Sequence, residues 1–281
     1  MRSIFLILLL ASMPLKGALP RADPALQARL QRSLDGLGLE SLIAEHKLSI
    51  SLIDLSVPDE EHYAGINDRQ MMYAASIPKL GILLGAFQAI HDGILGRTAA
   101  VDAAVMRMIR QSSNADASRM IQLLGYDFIS RTLASARYRL YDPAAEGGLW
   151  IGKSYGPSGL RSHVEFWHPE PISGEWHAAN SLQLARFFWL LSRGDLVGKR
   201  YSDSMKRILS QSDGPEYFAP RLRTEGVRFI YRKSGAFGDT FCDAALVEHQ
   251  HKRYVAAAMV NDASGPFILP RLIRELHRLI M

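Results

Sequence analysis

The sequence predicts an α+β fold: a mainly antiparallel sheet built from both chain ends, with flanking helices and an inserted helical lobe. Three observations predict it. Strand-like apolar runs lie near the two ends, at 48–66 and 227–260. Helical periodicity fills the middle, from Ser76 to Arg193. A final amphipathic stretch, 266–280, packs back as a closing helix through Phe267, Leu272, Ile273, Leu276 and Leu279. Pairing the end strands in one sheet, with the helices inserted between them, is the economical topology. The expected domain is 23–281, with a sheet lobe at 23–75 and 222–281 and a helical lobe at 76–221.

The elements follow in order. Arg2 precedes an unbroken apolar run from Ile4 to Ala11, with small residues after it at Gly17 and Ala18. That pattern reads as a secretory leader ending near residue 22, and therefore as an exported protein, periplasmic or extracellular. The run is shorter than the roughly 20 residues a bilayer span takes, so no stable span is expected after processing. Asp23-Pro24 reads as a helix cap followed by proline at the first helical position, with Leu26, Leu30, Leu34 and Leu37 behind it. Strands are expected at 48–55 and 62–66. From Ser76 a helix runs to Gly93, and Pro78 is tolerable there because it falls in the first turn. Further helices are expected at 99–110, 114–124 and 181–193. Val227–Tyr231, Asp243–Val247 and Tyr254–Val260 read as strands, with a turn at 248–252. The stretch 141–179, rich in Gly, Pro and Trp, has the length of a functional loop region.

Composition narrows the classes. Of 281 residues, 48% are hydrophobic and 22% charged, and the mean hydropathy is -0.02. Disordered, collagen-like and multi-span membrane chains are excluded. The net charge of +5 comes from scattered basic residues and makes no nucleic-acid stripe. Cys242 is the single cysteine, so no intrachain disulfide is available. His249-x-His251 lies in a predicted turn and reads as solvated. No metal or organic cofactor is expected, and the partner is a small-molecule substrate taken by a monomer.

Three patterns compete for the chemistry. Gly147-x-x-x-x-Gly152-Lys153-Ser154 has the letters of a phosphate-binding loop, but lacks a buried strand before it and a helix after it. Gly152-Lys153-Ser154-Tyr155-Gly156 fits a nucleophile elbow, yet Pro157 and Gly159 oppose the required helix. The third pattern is a set. Ser76-Ile77-Pro78-Lys79 stands at a helix start, Ser112-Ser113-Asn114 lies between two helices, and Lys233-Ser234-Gly235 ends a predicted strand. Chance supplies about 0.7 matches to the first and about 0.07 to the last. Three in order, each in a suitable context, make the strong signal.

Each part has a chemical use. Positions i and i+3 share a helix face, so the Lys79 amine reaches the Ser76 hydroxyl. Lys79 serves as its base if burial and the second cation, Lys233, lower its proton affinity. Ser112 passes the proton to a leaving nitrogen. Asn114 hydrogen-bonds a substrate amide, and Lys233 with Ser234 holds a substrate carboxylate. Backbone N–H groups of Ser76 and of Ala236, next after Gly235 on the strand edge, would form an oxyanion hole. Ser76 as an ordinary helix cap is the bland alternative.

On these motifs the chain resembles the serine β-lactamase and penicillin-binding-protein superfamily, most of all the class A β-lactamases. The resemblance spans nearly all of the mature chain. It implies a sheet lobe joined to a helical lobe, with the site between them. It further implies Ser76 as acylated nucleophile, Lys79 as base, Ser112 as relay and Lys233-Ser234-Gly235 as the substrate-edge strand. The implied activity is β-lactam hydrolysis; a penicillin-recognising sensor or a D-amino-acid peptidase or esterase with slow deacylation is the alternative. Three departures stand out. Ser113 replaces the family's usual aspartate. Ser76 and Ser112 are only 36 residues apart, which would open one wall of the cleft. The loop that usually carries the deacylating glutamate reads Trp167-His168-Pro169-Glu170, which puts His168 in that position. Glu165, Glu170, Glu175 and Lys79 are the other candidates for that base.

Overall fold

The computed structural model describes residues 20–58, 60–142, 144, 146–156 and 168–281. Nearly all of the expected leader, and Glu165 and Trp167 with it, lie outside them. The chain opens with β1 (Arg21–Ala22), α1 (Pro24–Asp35), α2 (Glu40–Ala44), β2 (Leu48–Asp54), β3 (His62–Ile66) and β4 (Met72–Tyr73). The helical part follows with α3 (Lys79–His91), α4 (Ala99–Arg110), α5 (Asn114–Leu124) and α6 (Tyr126–Ala134). Short strands β5 (Tyr141–Asp142), β6 (Gly147–Gly148), β7 (Trp150–Ile151) and β8 (His177–Ala179) come next. Then come α7 (Ser181–Arg193), α8 (Lys199–Leu209), α9 (Phe218–Thr224), β9 (Phe229–Phe237), β10 (Thr240–His249), β11 (Lys252–Asn261) and α10 (Gly265–Ile280).

The main sheet runs β1-β3-β2-β11-β10-β9, so the first and last strands of the chain do meet. All its pairs are antiparallel except β1 with β3. Period-two alternation divides its faces. Leu48, Ile50 and Leu52 join Ala256, Ala258 and the leucines of α1 and α10 in one core. Ile53, Ala257 and Met259 face the other core, with α3, α4 and α7. Ser49 and Ser51 are polar yet fully buried in β2, because both hydroxyls bond to Ser181 Oγ, at 2.7 and 3.0 Å. The result is a sheet covered on both faces.

Several local expectations hold for the stated reasons. Asp23 caps α1, accepting from the backbone N–H of Ala25 and Leu26 at 2.7 and 3.2 Å. Other elements differ. Helices α2, α6, α8 and α9 were not expected; α8 buries small hydroxyls, Ser202 and Ser204, beside Met205 and Leu209, which blurs its apolar stripe. Strand β9 begins two residues later than predicted and runs six further, so Lys233-Ser234-Gly235 lies inside it rather than at its end. Its central residues are polar and buried, a pattern that apolar periodicity does not register. The turn between β10 and β11 narrows to Gln250-His251. Strands β4, β8 and β7 form a separate small sheet in that order. It ties the long irregular stretch to the segment just before Ser76.

Candidate active site

Ser76 precedes α3 by one tight turn. Hydrogen bonds from Ile77 N to Ala74 O (3.0 Å) and from Leu80 N to Ile77 O (3.0 Å) wind the chain into the helix. Ala75 takes a left-handed φ of 47°, a conformation that costs energy for a residue with a Cβ. The helix begins at Lys79, with Pro78 in the cap position, so Ser76 is not its cap. Ser112 is likewise left-handed, at φ 55°. Ser113, in place of an aspartate, caps α5 by accepting from Asp116 N at 3.2 Å. The cap duty therefore falls on Ser113 and leaves the Ser112 hydroxyl for the site.

The structure brings the three motifs together. Lys79 Nζ lies 3.0 Å from Ser76 Oγ, 2.6 Å from Ser112 O, 2.7 Å from Asn114 Oδ1 and 3.4 Å from Ser112 Oγ. Lys233 Nζ donates to Ser112 Oγ at 3.0 Å and to Ser234 O at 2.6 Å. Both lysine side chains are 0% exposed, so the open wall implied by the short 76–112 spacing does not reach them. Burial pushes Lys79 down to about 7. Burial, then Lys79, then Arg232, push Lys233 well below the usual lysine range, against the pull of Asp243. A neutral amine has two N–H groups and one lone pair. Two carbonyl oxygens, those of Ser112 and Asn114, can take both N–H groups, which turns the lone pair toward Ser76 Oγ. Asn114 thus orients Lys79 with its oxygen, and its NH2 is what remains for a substrate.

Strand β9 supplies the opposite wall. A Cβ at Gly235 would lie 2.7 Å from Ala74 O and 2.9 Å from Ser76 N. Only glycine lets the strand approach the Ser76 turn this closely. Ala236, next along the strand, is half-buried beside it. Ser234 Oγ is buried with no hydrogen-bond partner among the described residues. The Gly214 segment covers it, since a Cβ there would be 3.5 Å from Ser234 Oγ and 3.9 Å from Ser112 Cβ. That segment is latched to α4 by Asp213 N to Arg110 O at 2.8 Å and by Arg110 Nε to Asp213 Oδ2 at 2.5 Å. Arg232 donates to Pro215 O at 2.6 Å and pairs with fully buried Asp243 at 2.9 Å.

The remaining expected residues fall elsewhere. Glu170 is fully buried, and its carboxylate accepts from Tyr141 OH, Ile172 N, Ser173 N and Ser173 Oγ at 2.6–3.0 Å. It closes its own turn. His168 is exposed; its carbonyl accepts from Trp150 Nε1 at 2.9 Å, and its cleft, shared with Tyr126, Asp127 and Tyr141, contains none of the motif residues. Glu175 is half-buried and bears electrostatically on Tyr73. Ser154 Oγ lies 3.5 Å from Tyr126 OH, and Lys153 sits over the Trp176 ring at 5.3 Å. Two residues that motif reading passed over stand at Lys79. The Tyr155 ring faces its amine at 4.6 Å, and His177 stacks on that ring at 4.0 Å. Tyr155 entered only as an unspecified position of the nucleophile-elbow pattern and His177 in no motif; α5 holds the first in place and the small sheet the second.

Residues 38–280 match the beta-lactamase enzyme family. The fold is similar to that of PBP-A, with a TM-score of 0.65 and 18% identity over 93% of this chain and 97% of that one. A PBP-A variant is known as an acyl-enzyme complex with penicillin G. It is also similar to a β-lactamase from Sphaerobacter thermophilus, with a TM-score of 0.62 and 16% identity over 86% of this chain and 96% of that one. A class A β-lactamase representative from Bacteroides cellulosilyticus gives 0.63 and 11%, over 91% and 97%. A stretch of 108 residues is 29% identical to fatty acid synthase subunit alpha of Saccharomyces cerevisiae, 38% of this chain but only 5% of that protein. No helix among the described residues is long and apolar enough to cross a membrane. The family match spans both lobes and all three motifs, and the chain belongs to the beta-lactamase enzyme family.

Proposed function

We propose that the protein is an exported serine hydrolase that takes a β-lactam, or a related carboxylate-bearing amide, peptide or ester, into an acyl-enzyme at Ser76. The observation that carries this reading is the buried Lys79 amine, 3.0 Å from Ser76 Oγ and pushed down to about 7. In acylation Ser76 Oγ bonds to the carbonyl carbon as its proton passes to Lys79. The C–N bond then breaks, and the leaving nitrogen takes a proton through Ser112, which Lys233 orients. Ser76 N and Ala236 N are the proposed oxyanion donors. Among the described residues no carboxylate bonds to Lys79, and Glu170 is committed to its turn. This favours a slowly deacylating protein over a fast β-lactamase.

Intact-mass spectrometry after incubation with penicillin G tests the assignment. The expected result is one added penicillin per chain, abolished in Ser76→Ala and unchanged in Ser154→Ala. An adduct mapped to Ser154 overturns it. Export is checked by fractionating cells that express the full chain.

A further inference from the structure

Part of the environment of Lys79 comes from outside the motif set. Tyr155 is anchored on α5 by two reciprocal bonds: its N–H donates to Ser118 Oγ at 2.9 Å, and that hydroxyl donates to Tyr155 O at 2.7 Å. So held, its ring lies across the Lys79 amine at 4.6 Å. Behind it the His177 imidazole is parallel to within 1° at 4.0 Å, fixed by β8. Tyr155 OH and His177 Nδ1 are both buried with no partner among the described residues. What the pair presents to Lys79 is a flat, dry face.

We propose that the stacked Tyr155–His177 pair is a positioning device for Lys79, keeping water from its amine and holding it against Ser76. This rests on the reading of Lys79 as the base. The groups around that amine are Ser76, Ser112 and Asn114 on its own lobe, Lys233 on β9, and His177 with Lys153 beyond it. None of these groups, among the described residues, is an anion; an ammonium there would have Ser112 O, Asn114 Oδ1 and the ring face in place of water. A ring face returns to a cation less than the loss of its water costs an ammonium. Exclusion of water therefore dominates. Burial, then Lys153 and Lys79, hold His177 down to about 3, so the imidazole stays neutral and adds no charge of its own.

The test follows Lys79 in two independent ways. One is the pH dependence of the rate of penicillin acylation. The other is titration of the Lys79 ε-methylene by 13C NMR on the full protein, assigned with Lys79→Arg. Tyr155→Ala admits water, and both midpoints are expected to rise by about one unit or more. Acylation at pH 7 then falls about fivefold or more and recovers at pH 9. Tyr155→Phe and His177→Phe restore flat faces and hold the midpoints. An equal loss at every pH in Tyr155→Ala, with the NMR midpoint unmoved, overturns the proposal. So does a Tyr155→Phe variant that behaves like Tyr155→Ala, because the hydroxyl would then be the working group. If penicillin never acylates the protein while the NMR midpoint shifts as expected, the pair stands and the substrate reading falls.

Discussion

Two lysines with no carboxylate partner among the described residues are buried within one hydrogen-bonded chain, Lys79 to Ser112 to Lys233. Such groups cost stability where they must shed a proton to stay buried. Lys79 has a lowered proton affinity in the folded state, so between about pH 7 and 10.5 the unfolded chain holds a proton that the folded chain does not. Stability should therefore rise with pH through that window. Urea unfolding of the native protein is expected to show a higher midpoint at pH 9 than at pH 7. Lys79→Met should lessen the difference, leaving the share that Lys233 contributes, and raise the pH 7 midpoint. A native profile that is flat or falling between pH 7 and 9 would show that Lys79 is charged when folded. At this scale the motif letters were legible in the sequence, and so was the i, i+3 reach from Lys79 to Ser76. The burial of Lys79 was stated there only as a condition for its acting as a base.

Strand β9 shows how an element can hide. Its buried centre, Arg232-Lys233-Ser234, is polar, and each charge has a partner reached across the fold: Asp243 for Arg232, Ser112 and Ser234 O for Lys233. Apolar patterning found only its first residues, and the motif was placed at the end of a strand that in fact continues through it. Gly235 is the point where this strand touches the nucleophile turn. Gly235→Ala should push β9 off Ser76, because a backbone carbonyl and a backbone nitrogen cannot move aside as a side chain tip would. We expect acylation to fall at least about a hundredfold, the scale of losing an oxyanion donor. The cost to stability should stay within about 1–3 kcal/mol. Acylation at the native rate in Gly235→Ala would mean that β9 does not contribute to the reacting centre.

At the scale of the whole molecule, Ser76, Ser112 and β9 meet along one seam, and on the proposed reading the segments that cover it govern turnover. Among the described residues, the Gly214 segment covers Ser234 and Tyr155 covers Lys79. A general base contributes about 10²–10⁴ to the step it serves. With Glu170 spent on its own turn, stopped-flow hydrolysis of a chromogenic penicillin should show a burst of one product equivalent. Steady turnover should then be slower than the burst by a factor in that range. His168→Ala should leave both phases unchanged, since His168 lines a different cleft. Fast turnover without a burst would place a base in the 157–167 stretch, where Glu165 lies.

By itself the sequence determined the α+β layout, the meeting of strands from both chain ends, and the identity of Ser76, Lys79, Ser112 and Lys233 as a set. These are readable because periodicity and short spacings are local properties of a chain. Only the tertiary structure decided which groups surround Lys79. It put Glu170 in its own turn and His168 in another cleft, and Tyr155 with His177 beside Lys79. The physical reason is that desolvation belongs to no residue. It is produced where α3, α5, β8 and β9 converge, and elements so far apart in sequence leave no joint pattern in it.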